Sequence, residues 1–191
     1  MERRPAEAAF LSGLLQDVGI LVLLHACPRD YHAVLHRWRT VGPLKLAMIE
    51  RSELGCTHAE VSAAMLERWR LPASLIVPIL HHVEPLRDAA RQGVDPGLHR
   101  VMMIGEAMAD LIDAPHASRR HALDSLLGHY GPREQSTCRK ALIRATSQAT
   151  EASHLLDLHL PTAAELETLL RSALTMVPEL PTDGLLAPTV V

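Results

Sequence analysis

Aromatic side chains are almost missing from this sequence: 191 residues contain one Phe, two Trp and two Tyr, 3% in all. A core without rings has to be filled by Leu, Ala, Val, Ile and Met, which the 48% apolar content allows. The length suffices for one domain with a sizeable core and a small helical annex. β-branched runs are scarce and helix formers dominate, so the composition predicts an all-α fold. Cysteine is sparse too. Cys27, Cys56 and Cys138 lie far apart with no Cys-x-x-Cys pair, which excludes a disulfide framework and points to a reducing compartment, the cytoplasm. Charge lacks a dominant sign: 19 basic against 22 acidic side chains give a net −3 with no basic block, so nothing suggests a nucleic-acid partner. The apolar run from Ile20 to Cys27 is too short to span a bilayer. Arg3-Arg4 faintly resembles a signal-peptide start, but Glu7, Gln16 and Asp17 interrupt the apolar residues after it, and no membrane association is expected. There is no Gly-rich phosphate loop, and Ser12, Ser62 and Ser74 lack nucleophile-elbow context.

What is present concentrates between Glu50 and His82. Gly55 suits the left-handed position that closes one helix. Thr57 and Glu60 then have the spacing of a capping box, opening a second helix. Trp69-Arg70-Leu71-Pro72 breaks it, and a third helix ends at the paired His81-His82. On the middle helix His58, Val61, Ser62, Met65 and Trp69 share a face, so His58 points inward. A histidine there is more often a hydrogen-bonded core residue than a metal ligand.

Elsewhere the pattern is a succession of helices. Residues 6 to 15 form an alanine-rich helix, Gln16-Asp17-Val18-Gly19 breaks it, and Ile20–Leu24 resumes. Pro28 opens a helix with Tyr31, Val34, Leu35 and Trp38 on one face. Gly42-Pro43 is a turn and Leu44–Leu54 a helix. The segment Glu84 to Gly97 contains the clearest loop. Leu98 to Ile112 is helical, with Val101, Ile104, Met108 and Leu111 as its stripe. Three parts are expected: a helical core over 1–114, a helical annex over 115–177, and a flexible tail over 178–191. Within the annex, helices run from His121 to Tyr130 and from Arg133 to about Leu158, the latter with Cys138, Leu142, Ala145, Ala149 and Ala152 inward. A second capping box at Thr162 and Glu165 opens a helix to about Met176.

The combined pattern Glu50, Gly55, Thr57-His58-Ala59-Glu60, Trp69-Arg70-Leu71-Pro72 and His81-His82 resembles the C-terminal portion of an HDOD domain, the HD-related output domain of bacterial signalling proteins. Upstream, residues Ala9 to Leu23 resemble the segment that carries the His-Asp pair of HD phosphohydrolases, and here that pair reads Gln16-Asp17. The resemblance runs over roughly residues 9 to 112. It implies a compact multi-helix HD-domain-like bundle, and a full domain of this type would have further helices before Phe10. The C-terminal helices loosely resemble those that join HDOD domains to GGDEF output domains.

An HD phosphohydrolase needs a metal to polarise the phosphoryl group and lower the pKa of bound water. Carried onto this chain, the ligand set is degenerate. Gln16 replaces an imidazole with an amide, a feeble ligand for a transition metal. Asp17 matches. Glu106 would align with a late aspartate, yet falls opposite the stripe of its helix and reads as a solvated glutamate. His58, His81 and His82 resemble the additional histidines of HD-GYP phosphodiesterases. Adjacent residues on a helix diverge by about 100°, so His81 and His82 read instead as one C-terminal cap and one surface residue. The expectation is therefore a non-catalytic regulatory module of HDOD type with no catalytic residue, cofactor or metal. It would act through signalling proteins, a GGDEF-type output domain or a nucleotide ligand. The alternative is a metal-dependent phosphohydrolase or phosphodiesterase using Asp17, His58, His81, His82 and Glu106. A third reading is an oligomerisation domain built on the helices of 133–176.

Overall fold

The computed structural model describes residues 5–41, 45–113, 117–128, 130–155, 164–165 and 168. They form α1 (Pro5–Leu15), α2 (Val18–Ala26), α3 (Pro28–Val41), α4 (Leu46–Leu54), α5 (His58–Arg68), α6 (Ala73–Leu80), α7 (Leu86–Arg91), α8 (Pro96–Asp113), α9 (Ala117–Gly128) and α10 (Pro132–Leu155). No strand occurs among the described residues, and the all-α bundle expected from composition is what forms. The chain divides into two compact units, Met1–Leu127 and Gly128–Val191. α9 thus falls almost entirely within the first unit, past the boundary expected at residue 114.

Local chemistry sets the element ends. Gly55 closes α4 at φ 77. Thr57 accepts from the Glu60 amide while the Glu60 carboxylate accepts from the Thr57 amide, the reciprocal box expected from their spacing. The other end of α5 closes differently: Arg70 sits at φ 59, a left-handed conformation unfavourable for a side chain with a Cβ. There the Leu71 amide donates to the Leu66 carbonyl at 3.0 Å and the Arg70 amide to that of Glu67 at 2.8 Å. Pro72, in extended conformation, caps α6.

Helix α5 lies between two apolar clusters. Leu23, Tyr31, Val34, Trp38 and Ile49 form one, with Val61 packed against it. Ala63, Leu66, Ile76, Ile79 and Met102 form the other, with Leu15 and Leu98 at its edge. Each fully buried Leu or Ile contributes about 1.5–3 kcal/mol relative to exposure. The face predicted for α3 is the buried one.

Three expectations are corrected. Val101 is 55% exposed, and Met102, one residue on, faces the core with Ile104, Met108 and Leu111. The segment Glu84–Gly97 is not all loop: α7 forms within it and buries Ala89. Trp69 is 52% exposed, because α5 ends just before it and the chain swings away. Residues Ala6–Ala26, with mean hydropathy 1.7, are long and apolar enough by composition to cross a bilayer. They nevertheless form two helices broken at Gln16-Asp17, α1 packing on α6 and α8, and α2 on α3 and α5.

In the second unit, α10 buries Leu142 and half-buries Cys138 and Ala145. The side chains of Ala149 and Ala152, the expected capping box at Thr162, the helix it opens toward Met176 and the tail over 178–191 lie outside the described residues, apart from helical residues at 164–165 and 168.

Candidate functional site

Four sequence-distant segments of the first unit meet where α5 begins. The meeting depends on Gly19. A Cβ built there would lie 2.1 Å from the His58 carbonyl oxygen, so only glycine lets α2 approach α5 this closely. At the same contact Ser62 Oγ donates to the Gln16 carbonyl at 2.7 Å and accepts from the Gly19 amide at 2.8 Å. The Gln16-Asp17 break between α1 and α2 is thereby clamped onto α5.

From α4, Glu50 enters fully buried. A buried carboxylate is tolerated only when densely hydrogen-bonded. Glu50 accepts from Tyr31 Oη at 2.5 Å, from the His58 amide at 2.9 Å and from His58 Nδ1 at 2.7 Å. Because the capping box starts α5 at His58, amide and ring of one residue both reach this carboxylate. Burial, reinforced by Glu50, pushes the Tyr31 hydroxyl far above its ordinary pKa, so it stays a donor. For His58 burial works against the charged ring, but the hydrogen bond and charge of Glu50 outweigh it and raise the pKa.

His82 follows α6 and is also fully buried, contrary to the expectation of a surface residue or cap. The turn after Leu80 folds it inward, where its Nδ1 donates to the Ile79 carbonyl at 2.7 Å. His58 Nε2 and His82 Nε2 then lie 3.3 Å apart. Asp17 completes the group, with Oδ1 at 3.5 Å from His58 Nε2 and 3.7 Å from His82 Nε2. Burial pushes the Asp17 carboxyl up, but hydrogen bonding and charge from His82, with the charge of His58, outweigh it and hold the pKa low.

Of the five residues singled out for the enzymatic alternative, the fold brings together Asp17, His58 and His82, whose donor atoms lie within 4.8 Å of one another and could hold a metal ion. His81 is not among them: it terminates α6 and its Nδ1 pairs with Glu84 Oε1 at 2.8 Å. Glu106 is half-buried and lines a cavity of about 320 Å³ with Asp17, His58, Trp38, Arg39 and Asp110. It is not the solvated glutamate its helical position suggested. Asp110, one turn further along α8, was not singled out; burial first, then the charge of Glu106, pushes its carboxyl up to about 7. Glu106 and Asp110 also line a neighbouring cavity of about 270 Å³ with Lys45, Ser118 and Arg119. Glu50 was read only as part of a pattern, and its distance of eight residues from His58 carries no periodic signal. Gln16 is buried, and its Nε2 donates to Asp17 Oδ2 at 3.3 Å, leaving Oδ1 to face the histidines.

Residues 1–85 match the family model of the HDOD domain. Neither the curated proteins nor the solved structures contain a match to the chain.

Proposed function

Because residues 1–85 belong to the HDOD domain family, we propose that the protein is a non-catalytic signal-transduction module. It docks a partner or small ligand and passes that state on by helix repacking. Gln16 carries this reading. Where the similar phosphohydrolases hold metal with the imidazole of a His-Asp pair, this chain has an amide, 5% exposed and engaged with Asp17. An amide is a poor transition-metal ligand, and hydrolysis loses a donor that positions both ion and water. The cavity beside Asp17 and His58 supports a small-ligand site. A nucleotide phosphate there would meet the carboxyl groups of Asp17, Glu106 and Asp110 alongside the Arg39 guanidinium. We place the module in the bacterial cytoplasm, with signalling proteins or a GGDEF-type output domain as the partner class.

The second reading, a metal-dependent phosphohydrolase, is favoured by one observation: the donor atoms of Asp17, His58 and His82 converge beside that cavity. An assay separates the two. Purified protein is incubated with bis-p-nitrophenyl phosphate and with cyclic dinucleotides, with and without Mn2+ or Zn2+. No turnover above buffer is expected. Turnover that Asp17→Ala abolishes would establish the enzyme instead.

A further inference from the structure

The cavity of about 270 Å³ beside α8 and α9 takes no lining from Asp17, His58 or His82. Its walls are of two kinds. Met103 and Ala107 of α8, with Ala122 and Leu126 of α9, make an apolar surface. Lys45, Glu106, Asp110 and Arg119 are its charged groups among the described residues. The volume falls just below the roughly 300–1,000 Å³ of pockets for drug-sized molecules. It therefore suits a compact molecule, a short chain or one ring, and is too small for a dinucleotide.

Charge decides the kind of molecule. Arg119 is buried, and its guanidinium stacks 3.8 Å from the centroid of the Trp38 ring. Nη2 donates to the Trp38 carbonyl at 2.9 Å and Nη1 to the Asp110 carbonyl at 3.1 Å. Those carbonyls belong to the last turns of α3 and α8, the negative ends of two helices. These bonds orient the guanidinium without cancelling its charge. Lys45 supplies a second cation. Its one hydrogen bond among the described residues runs from Nζ to the Val83 carbonyl at a long 3.4 Å, and an ammonium has three donors to place. Against these two stand the carboxyls of Glu106 and Asp110, one helical turn apart. Burial and Glu106 push the Asp110 carboxyl up to about 7, so it is partly protonated near neutrality. Two positive charges thus face between one and two negative ones. A protonated Asp110 also has an O–H to donate, which suits a ligand with an acceptor oxygen. One negative charge matches the surplus, whereas the two of a phosphate monoester would be driven against Glu106.

We propose that the cavity lined by Lys45, α8 and α9 binds a compact apolar monocarboxylate, a short-chain or aromatic acid, with its carboxylate on Lys45 in the field of Arg119 and its body against Met103, Ala107, Ala122 and Leu126. Such a ligand touches the start of α4, α8 and α9 at once. It gives the first unit a chemical input at a place separate from the histidines. The assignment goes beyond the signalling reading and does not rest on it: a protein that binds the acid satisfies either reading of the neighbouring cluster.

The test is a titration of full-length protein, 13C-labelled at its methionine methyls, with hexanoate. The Met103 methyl resonance, assigned with Met103→Leu, reports entry into the cavity. A saturable shift is expected with hexanoate and with benzoate. Hexylamine and hexanol, of equal length without the negative charge, should bind roughly tenfold more weakly or worse. Lys45 is exposed, so Lys45→Met removes the ammonium with little burden on the fold. It should weaken hexanoate binding by roughly tenfold or more, and Lys45→Arg should keep most of the affinity. Arg91→Met, which removes an exposed cation outside the cavity, should change nothing. No saturable shift at Met103, equal affinity for hexanol or hexylamine, or a hexanoate affinity unmoved by Lys45→Met would each overturn the assignment. Tighter binding of inorganic phosphate than of hexanoate would overturn it in favour of a phosphate site. None of these outcomes bears on phosphodiester turnover, so failure here is distinct from failure of the signalling reading.

Discussion

The two ends of α5 are built to different standards. At the N-terminal end, a reciprocal cap, a buried carboxylate with three donors and a glycine pressed against the His58 carbonyl leave His58 no alternative position. At the C-terminal end, Trp69 is half-exposed and Arg70 takes a left-handed conformation for which glycine is better suited. The difference locates the demand for precision. Donor atoms have to be held to a fraction of an ångström where chemistry or recognition occurs, whereas the far end has only to stop a helix and turn the chain.

That contrast can be broken at its strongest point first. Glu50→Ala leaves Tyr31 Oη and the His58 amide buried without an acceptor. It should cost about 3–5 kcal/mol in urea unfolding. A loss below about 1 kcal/mol would mean that the carboxylate is not the anchor of this end. Gly19→Ala comes next. Its Cβ would collide with backbone, not with a flexible side chain, so a loss of about 1–3 kcal/mol is expected.

Asp110 offers a pH axis beside the same end of α5. Its carboxyl is pushed up to about 7 by burial and by Glu106, from an ordinary 3.8. The folded state therefore binds more protons than the unfolded chain between those values, and Asp110 makes stability fall as pH rises through that window. Comparing Asp110→Asn with the parent at pH 4, 5.5, 7 and 8 should show the variant relatively more stable at the high end, by about 1–3 kcal/mol. Parallel stability curves would remove Asp110 as the cause. The smallest effect is expected at the loose end: Arg70→Gly relieves the left-handed strain, offset by a more flexible unfolded chain. The net gain should be below about 1 kcal/mol in urea unfolding.

Much of the fold was legible because it rests on neighbours in sequence. Thr57 with Glu60, Gly55, and the Tyr31–Trp38 face all act within one or two helical turns. The inward direction of His58 follows from the same periodicity, and residues Gln16-Asp17 were identifiable through the resemblance at the α1–α2 break. Val101 was misread although Ile104, Met108 and Leu111 hold the predicted stripe, because nothing local decides which of two adjacent apolar residues at the start of α8 meets the core. α7 went unseen because its six residues, between Pro85 and Gly93, hold too little apolar periodicity to stand out.

The amino-acid order alone therefore determined that the chain is helical, where most helices start and stop, and that an amide stands beside Asp17, since each of these is a matter of short-range hydrogen bonding or side-chain chemistry. Only the tertiary structure decided that His82 is buried and His81 is not, that Glu50 holds the His58 ring, and that Glu106 faces a cavity. Those outcomes depend on how closely α2 approaches α5 and how the chain turns after α6. Such distances are set by packing between residues 24 to 65 positions apart in the chain, as Asp17, His58 and His82 are, and no local propensity encodes them.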